Sequence, residues 1–413
     1  MGDITKARGA GRDGSPRVLL IAGGTVVDGL GRDGRRGDVL IEDGRIVSVE
    51  ATIEPPRGAT VLDAGGCVVM PGLVDLHAHL RQPGREEAET VETGARAASL
   101  GGFTAVVAMP NTEPAIDSAD AVRGLYDLAS EVAVEVAVAG AITVGRLGEK
   151  LVSFGEMAAL GVRLFTDDGR GVQHAGVMRR ALEYARPLGV VLAEHCEDEE
   201  LAGVGAMHEG AWSSRLGLPG QPALAEEVML ARDIDLVRLT GAPMHFLHLS
   251  TARSVELVRA ARAEGLPVTA EVTPHHLSLT DAEVASFDPV FKVNPPLRTA
   301  CDVAALRAGL RDGTIQAIAT DHAPHTVDAK EAPWAEAPPG MLGLETALAV
   351  VYTAMHAGAD AAAEAPASTL PAPGSPNSLS ELVTWMSLAP ARIAGLDVER
   401  TGRRSRPGGH GGP

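Results

Sequence analysis

From Pro71 onward the chain repeats one unit eight times: a short apolar run, a turn, then a stretch of helical periodicity. The runs fall at 72–80, 104–110, 132–140, 161–168, 190–195, 243–250, 267–274 and 315–321. Runs this short, bounded by turn residues, read as buried strands. Between them, EEAETVETGARAASLGG begins acidic and ends in glycine, and Ser250 can cap TARSVELVRAARAEG, which stops at Gly265. Both are helix signatures. Eight such repeats over about 250 residues predict an α/β fold, a (β/α)8 TIM-like barrel. A doubly wound sheet is the rival, but no GxGxxG follows a strand to support it.

Residues 17–70 have a different texture. VLLIAGGTVVDG, DVLIEDGRIVSVE and ATVLDAGGCVVMPG read as strands, with Gly and Asp-Gly marking hairpins. They predict a small β module ahead of the barrel, which itself spans 71–396. Residues 1–16 lack the apolar stretch of a secretory signal and read as a disordered tail. Residues 358–377 are low in complexity and read as a loop insertion. Aromatics make up 3% of a chain that is 45% hydrophobic, so the core must be built from Ala, Val and Leu. A net charge of -18 argues against nucleic acid or an anionic membrane as partner. No apolar run approaches membrane-spanning length. Cys67, Cys196 and Cys301 are odd in number and far apart, which fits a reducing cytoplasm rather than a disulfide framework.

In a barrel of this kind functional side chains stand at the C-terminal ends of the strands. The first strand reads VDLHAHLR, and its alternation puts Asp75, His77, His79 and Arg81 on one face. Strand two ends MPNT with Asn111, strand four FTDDG with Asp167 and Asp168, and strand five AEHCED with His195. Strand six ends HFLHLS with His248, strand seven EVTPHH with His275 and His276, and strand eight ATDHAPH with Asp321, His322 and His325. Imidazole and carboxylate are the ligands zinc takes when cysteine is absent. Taken singly, His248 reads as a core histidine and Asp168 as a turn residue; the joint pattern points to metal. His245 falls on the strand face opposite His248 and reads as structural. His174 and His208 have no special claim, Cys196 reads as a packing residue, and Asp75 reads as a partner lower in the barrel.

These stretches carry a family resemblance. VDLHAHLRQPG, GGFTAVVAMPNT, FTDDGRGVQ, AEHCED, ARDIDL, HLSTARSVELVRAA, VTAEVTPHHLSL, NPPLR, DGTIQAIATDHAPH and GLETAL resemble the dihydroorotases of the amidohydrolase superfamily, over roughly residues 18–396. The resemblance is to the bacterial type that associates with aspartate carbamoyltransferase. It implies zinc-dependent, reversible hydrolysis of L-dihydroorotate to N-carbamoyl-L-aspartate in pyrimidine biosynthesis, with one or two Zn2+ per subunit. His77, His79, Asp168 and Asp321 would hold one metal; His195 and His248 would hold a second, with Asp168 bridging. Asp321 would be the catalytic base. Arg81, Asn111, Asn294 and His325 would bind substrate, and backbone groups of Pro339 and Gly340 would close one side. Here the sequence reads APPGMLGLET, where the family usually has an aromatic before that glycine. The implied partners are the small-molecule substrate, aspartate carbamoyltransferase and, as an open option, further copies of the chain.

Many related enzymes bridge two metals with a carboxylated lysine. The four lysines here, Lys6, Lys150, Lys292 and Lys330, all lie away from the end of strand four, where Asp168 stands. That argues against dihydropyrimidinases and most hydantoinases. The alternatives are another cyclic-amide hydrolase such as an allantoinase, and a non-catalytic dihydroorotase-like partner of aspartate carbamoyltransferase. The end of the chain, DVERTGRRSRPGGHGGP, departs from the family pattern: residues 397–413 are Gly- and Arg-rich without strand periodicity. They predict a β module that is incomplete at its C-terminal side.

Overall fold

A computed structural model describes residues 18–31, 34–356 and 379–396. The expected tails at 1–16 and 397–413 and the expected insertion at 358–377 fall outside the described residues. Two compact units make up the chain, Met1–Gly72 with Asp360–Thr384, and Leu73–Ala359 with Trp385–Pro413.

The first unit is built on one sheet. Its strands are β1 (Val18–Val26), β2 (Arg35–Glu42), β3 (Arg45–Glu50), β4 (Thr60–Asp63) and β5 (Val68–Val69). β2 pairs antiparallel with β1 and β3, while β4 and β5 pair parallel with β1. The β2–β3 hairpin turns on Asp43-Gly44, both at positive φ (48° and 76°). That is the Asp-Gly turn geometry expected between alternating strands. The Asp38 carboxylate ties the sheet to its connections by accepting from Gly23 N at 2.7 Å and Ile53 N at 2.8 Å.

In the second unit strands and helices alternate. The strands are β6 (Leu73–Ala78), β7 (Phe103–Ala108), β8 (Glu135–Val138), β9 (Leu164–Phe165) and β10 (Val191–Glu194). A short pair, β11 (Met207–His208) and β12 (Gly220–Gln221), interrupts the series before β13 (Met244–Phe246), β14 (Val268–Val272) and β15 (Ala317–Ile318). β6, β7 and β8 form one parallel ladder, and β9, β10, β13, β14 and β15 another. Parallel bridges join Gly140 to Phe165 and Ala78 to His322, linking the ends of the two ladders. A helix follows each of the eight main strands: Val91–Leu100, Ala119–Leu128, Phe154–Ala159, Ala175–Ala185, Leu224–Thr240, Ala252–Ala263, Ala300–Arg311 and Ala347–His356. Among the described residues, no helix is long and apolar enough to cross a membrane.

The sequence explains the local details. Thr90 caps the first helix by accepting from Thr93 N, and the helix ends at Gly101. Thr251, not Ser250, caps Ala252–Ala263. Ser250 is drawn away because its backbone N–H and hydroxyl both donate to the buried Glu226 carboxylate. Every residue from Leu73 to Arg81 is buried, so β6 is covered on both faces rather than half exposed. A buried cluster draws Val107, Met109, Leu164, Ala193, Ala317 and Ala319 from β7, β9, β10 and β15 and their exits. Two residues past Met109, Ala193 and Ala319 stand Asn111, His195 and Asp321. The period-two alternation that packs the core therefore delivers polar groups at the strand exits.

Gly101 shows how tightly the helices seat. A Cβ there would lie 2.0 Å from the Leu344 carbonyl oxygen, whereas a Cβ at Gly124, on an exposed helical face, meets nothing within 4 Å. Gly101→Ala is expected to destabilise the protein by about 1–3 kcal/mol. Gly124→Ala should stabilise it by about 0.4–1 kcal/mol through the unfolded state. Urea unfolding of the two variants beside the parent checks both signs.

Candidate metal centre

Six side chains from the C-terminal ends of five strands meet in a buried cluster: His77 near the end of β6 and His79 just after it, Asp168 after β9, His195 after β10, His248 after β13 and Asp321 after β15. Asp168 lies among all four imidazoles. Its Oδ1 is 3.4 Å from His77 Nε2, 3.6 Å from His248 Nε2 and 3.7 Å from His195 Nδ1, and its Oδ2 is 3.6 Å from His79 Nε2. Asp321 Oδ1 is 2.9 Å from His79 Nε2 and 3.5 Å from His77 Nε2. His195 Nδ1 and His248 Nε2 approach to 2.9 Å.

The hydrogen bonds behind these rings fix which nitrogen faces inward. His77 Nδ1 donates to Glu271 Oε1 at 3.0 Å, and His79 Nδ1 donates to Asn111 Oδ1 at 2.9 Å. Each ring thus keeps its Nε2 lone pair for the cluster, the arrangement in which an outer acceptor orients a ligating imidazole. His195 is turned the other way. Its Nε2 faces Glu197 Oε2 and Asn294 Nδ2, both at 3.5 Å, so Nδ1 points inward.

The donor set fits a divalent cation. Tetrahedral zinc with bonds of about 2.0–2.1 Å places its ligand atoms about 3.3 Å apart, and most separations above lie near that value. His77, Asp168 and His248 form one compact group, and His77, His79 and Asp321 another. His77 Nε2 is buried with no hydrogen-bond partner among the described residues, as a lone pair reserved for a metal would be.

The electrostatics agree. Burial pushes the Asp168 carboxyl up, but His77, His195 and His248 outweigh it and hold the group well below the usual carboxylate range. Asp321 is likewise lowered, burial being overcome by His77 and His79. Burial pulls the imidazoles down, yet Asp168 and Asp321 raise His77 well above its ordinary value, and Asp168 and Glu197 raise His195 to about 10. A metal and protons compete for such sites.

The remaining predicted residues fall into two places. Asn111 and Asn294 adjoin the ligand-like imidazoles, and Asn111 Nδ2 also donates to Asp168 Oδ2 at 3.4 Å. Arg81 and His325 stand together near the edge: Arg81 Nε donates to Pro324 O at 3.0 Å, and its Nη2 is 3.5 Å from His325 Nε2. His325 donates to Pro339 O at 2.8 Å. Burial and Arg81 lower the His325 imidazole to about 4, so it is neutral at pH 7. The Pro339–Gly340 backbone already has protein partners: Gly340 N donates to Lys292 O at 2.8 Å, and Gly340 O accepts from Lys330 Nζ at 2.9 Å.

Glu271 and Glu197, which back His77 and His195, escaped the sequence reading. His245 is a hydrogen-bonded structural histidine, as its strand face suggested, with Nδ1 2.8 Å from Thr269 Oγ1 and Nε2 donating to Glu271 Oε2 at 3.0 Å. His245 is thus one carboxylate removed from His77. The available signal for Glu271 was a lone carboxylate inside the apolar run VTAEVT. Asp75 sits beneath the site as expected, accepting from Thr320 N at 2.8 Å and from the Thr320 hydroxyl. Of the strand-seven pair, His276 is bound to Thr273 Oγ1 and Pro295 O, while His275 Nε2 is buried without a partner among the described residues. Among the described residues no lysine replaces Asp168: Lys292 Nζ donates to Trp334 O at 2.7 Å, and Lys330 serves the 338–340 segment.

Removing Asp168 removes the carboxylate that lies within 3.7 Å of all four imidazoles. Asp168→Ala is expected to lose at least half of the bound metal by elemental analysis of purified protein; an unchanged content would refute a bridging position. Glu271→Gln leaves one of two imidazole N–H groups without its acceptor. It should weaken divalent-cation affinity by about 10–100-fold in a competition titration against a chelator.

The dihydro-orotase-like family matches residues 66–254. The dihydroorotase of Pelotomaculum thermopropionicum is 50% identical over 378 residues, covering 92% of this chain and 84% of that protein. That of Anaeromyxobacter dehalogenans strain 2CP-C is 52% identical over 385 residues, with 92% and 84% covered. That of Streptomyces coelicolor is 52% identical over 325 residues, with 78% and 76% covered. Among solved structures, the L-hydantoinase (dihydropyrimidinase) from Arthrobacter aurescens superposes with a TM-score of 0.78 at 26% identity, covering 92% of this chain and 82% of that one. The dihydropyrimidinase from Brevibacillus agri has a TM-score of 0.75 at 20% identity, with the same coverage, a likeness of fold alone.

Proposed function

The chain belongs to the dihydroorotase family, and from that premise we propose that it catalyses the reversible hydrolysis of the ring amide of L-dihydroorotate to N-carbamoyl-L-aspartate, a step of pyrimidine biosynthesis. It is a cyclic amidohydrolase. What carries the reading is the convergence of four imidazoles and two carboxylates in a chain half identical to dihydroorotases over nine-tenths of its length. We read the linked parallel ladders as a (β/α)8 barrel over 71–396, with 17–70 as the small β module.

The metal is proposed to be Zn2+, one or two per subunit. His77, His79 and Asp321 would hold one ion and His195 and His248 the other, with Asp168 between them. When bound, zinc supplies Lewis acidity toward the amide carbonyl oxygen and lowers the pKa of water toward neutrality.

The chain's own groups supply the rest. Asp321 is the proposed base. Its Oδ1 faces His79 and His77, leaving Oδ2 to take a proton from the attacking water and return it to the departing ring nitrogen. Its carboxyl is held ionised by the surrounding imidazoles, so it starts in the proton-accepting form. Arg81 keeps both Nη groups for the substrate carboxylate while Nε is anchored on Pro324 O. A planar fork suits that bidentate contact. His325, neutral at pH 7, would contribute a hydrogen bond rather than charge. Asn111 and Asn294 offer amide groups to the carbonyl oxygens. Pro339 and Gly340 would form one wall, where a Cβ on Gly340 would come within 2.8 Å of His325 Nε2.

We further propose a cytoplasmic protein that associates with aspartate carbamoyltransferase and with copies of itself. The described cysteines, Cys67, Cys196 and Cys301, are all free, which suits a reducing compartment.

The test is turnover of L-dihydroorotate by purified protein, run beside dihydrouracil and allantoin, with zinc counted in the same sample. Preference for dihydroorotate is expected; faster turnover of allantoin would replace the reading by the rival cyclic amidase. Asp321→Asn should lower kcat by at least about 10²-fold while most of the metal is retained. Near-normal activity in that variant would remove the base from Asp321.

A further inference from the structure

Three residues of the site have the positive φ that only glycine adopts freely, Arg81 at 59°, His248 at 29° and Asp321 at 47°, and the first and last of these leave the two strands whose exits lie side by side. Such backbone persists only where the surroundings over-determine it. For Asp321 one side of that restraint is Thr320, anchored on the buried Asp75. The other side is His322, and its connections reach well beyond its own strand.

The His322 carbonyl accepts from His79 N at 2.8 Å, and its backbone bridges in parallel to both Ala78 and Met341. Its side chain is buried and fully engaged. Gly343 N donates to Nδ1 at 3.2 Å, so Nε2 carries the proton and donates to Glu89 Oε2 at 2.9 Å. The other Glu89 oxygen accepts from the Thr93 hydroxyl, within the first turn of helix Val91–Leu100. Glu89 is itself largely buried, and its charge bears on Arg81. One carboxylate therefore touches the start of the first helix and the exit of the eighth strand, and faces the exit of the first.

We infer that Glu89 and His322 form a latch that stitches the first-strand exit loop to the eighth, holding the left-handed Asp321 and Arg81 at working distance from each other. Both are positioning residues; neither is placed against substrate. This inference rests on the proposed roles of Asp321 and Arg81, but the latch itself is a statement about chain geometry and can be tested apart from activity. Glutamine at position 89 can still accept from His322 and donate to Thr93, whereas alanine can do neither.

The test uses full-length protein with Glu89→Ala, Glu89→Gln, His322→Gln and the Glu89→Ala/His322→Gln double variant. Hydrogen exchange at the Gly343 amide, which relies on His322 Nδ1, should accelerate at least tenfold in Glu89→Ala. It should stay near the parent rate in Glu89→Gln. The Leu247 amide, which donates to Glu194 O in a distant strand, should not respond. On dihydroorotate, Glu89→Ala should lose at least tenfold in kcat with KM within threefold. Glu89→Gln should recover to within threefold of the parent. The double variant should be no worse than threefold below Glu89→Ala, since the two residues act as one device. Unchanged exchange at Gly343, a Glu89→Ala kcat within twofold of the parent, or additive losses in the double variant would each overturn the latch. If Glu89→Ala is recovered unfolded, His322→Gln carries the same two readouts. A parent protein inactive on dihydroorotate, with Gly343 exchange still responding as expected, supports the latch and overturns the proposed substrate instead.

Discussion

The Asp168 carboxylate among four buried imidazoles is the contact on which the rest of the site depends. Titratable groups removed from water are tolerated only when each finds an opposite charge or a hydrogen bond. His77, His79, His195 and His248 come from three different strand exits, and Asp168 is the one acid within 3.7 Å of all of them. Asp321 supplements it on the His77–His79 side only. Protons, or a cation in their place, balance the two carboxylates. The cluster is thus both a metal-binding donor set and a condition for packing these strand ends together.

Around that cluster lies a layer of carboxylates, Glu271 and Asp75 buried and Glu197 partly so, that stand behind its members. Glu271 takes N–H groups from His77 and His245, Glu197 stands behind His195, and Asp75 holds Thr320 beneath Asp321. Burial pushes Glu271 up, but His245 and His77 bring it down to about 2, so it remains an acceptor. An ionised acceptor on Nδ1 leaves Nε2 as the lone pair. Ring tautomer, and hence ligand direction, is decided by this outer layer. The left-handed backbone at Arg81, His248 and Asp321 belongs to the same design. Each such residue costs about 1–3 kcal/mol and persists because buried bonds on either side leave no other conformation.

Much of this was legible in the chain. The eight strands lie where their apolar runs do, because a strand buried on both faces needs a continuous apolar run. The strands are shorter than those runs, most clearly β9 and β15, since Asp168 and Asp321 must leave the ladder to turn inward. Period-two alternation also indicated Asn111, His195 and Asp321 at the exits. It could not identify His245 as a neighbour of His77, because their link passes through Glu271 on a third strand. Nor could it choose Thr251 over Ser250 as a helix cap, since that choice depends on Glu226, remote in sequence.

By itself the sequence determined the repeat, the residue types at the strand exits and the resemblance that names a reaction, all properties of local pattern. Only the tertiary structure decided which nitrogen of each histidine faces inward, which acids stand behind them, and that Glu89 meets His322 across 233 positions of chain. The physical reason is the same in each case. A hydrogen bond between distant strands depends on register and closure, and no local window of sequence contains both partners.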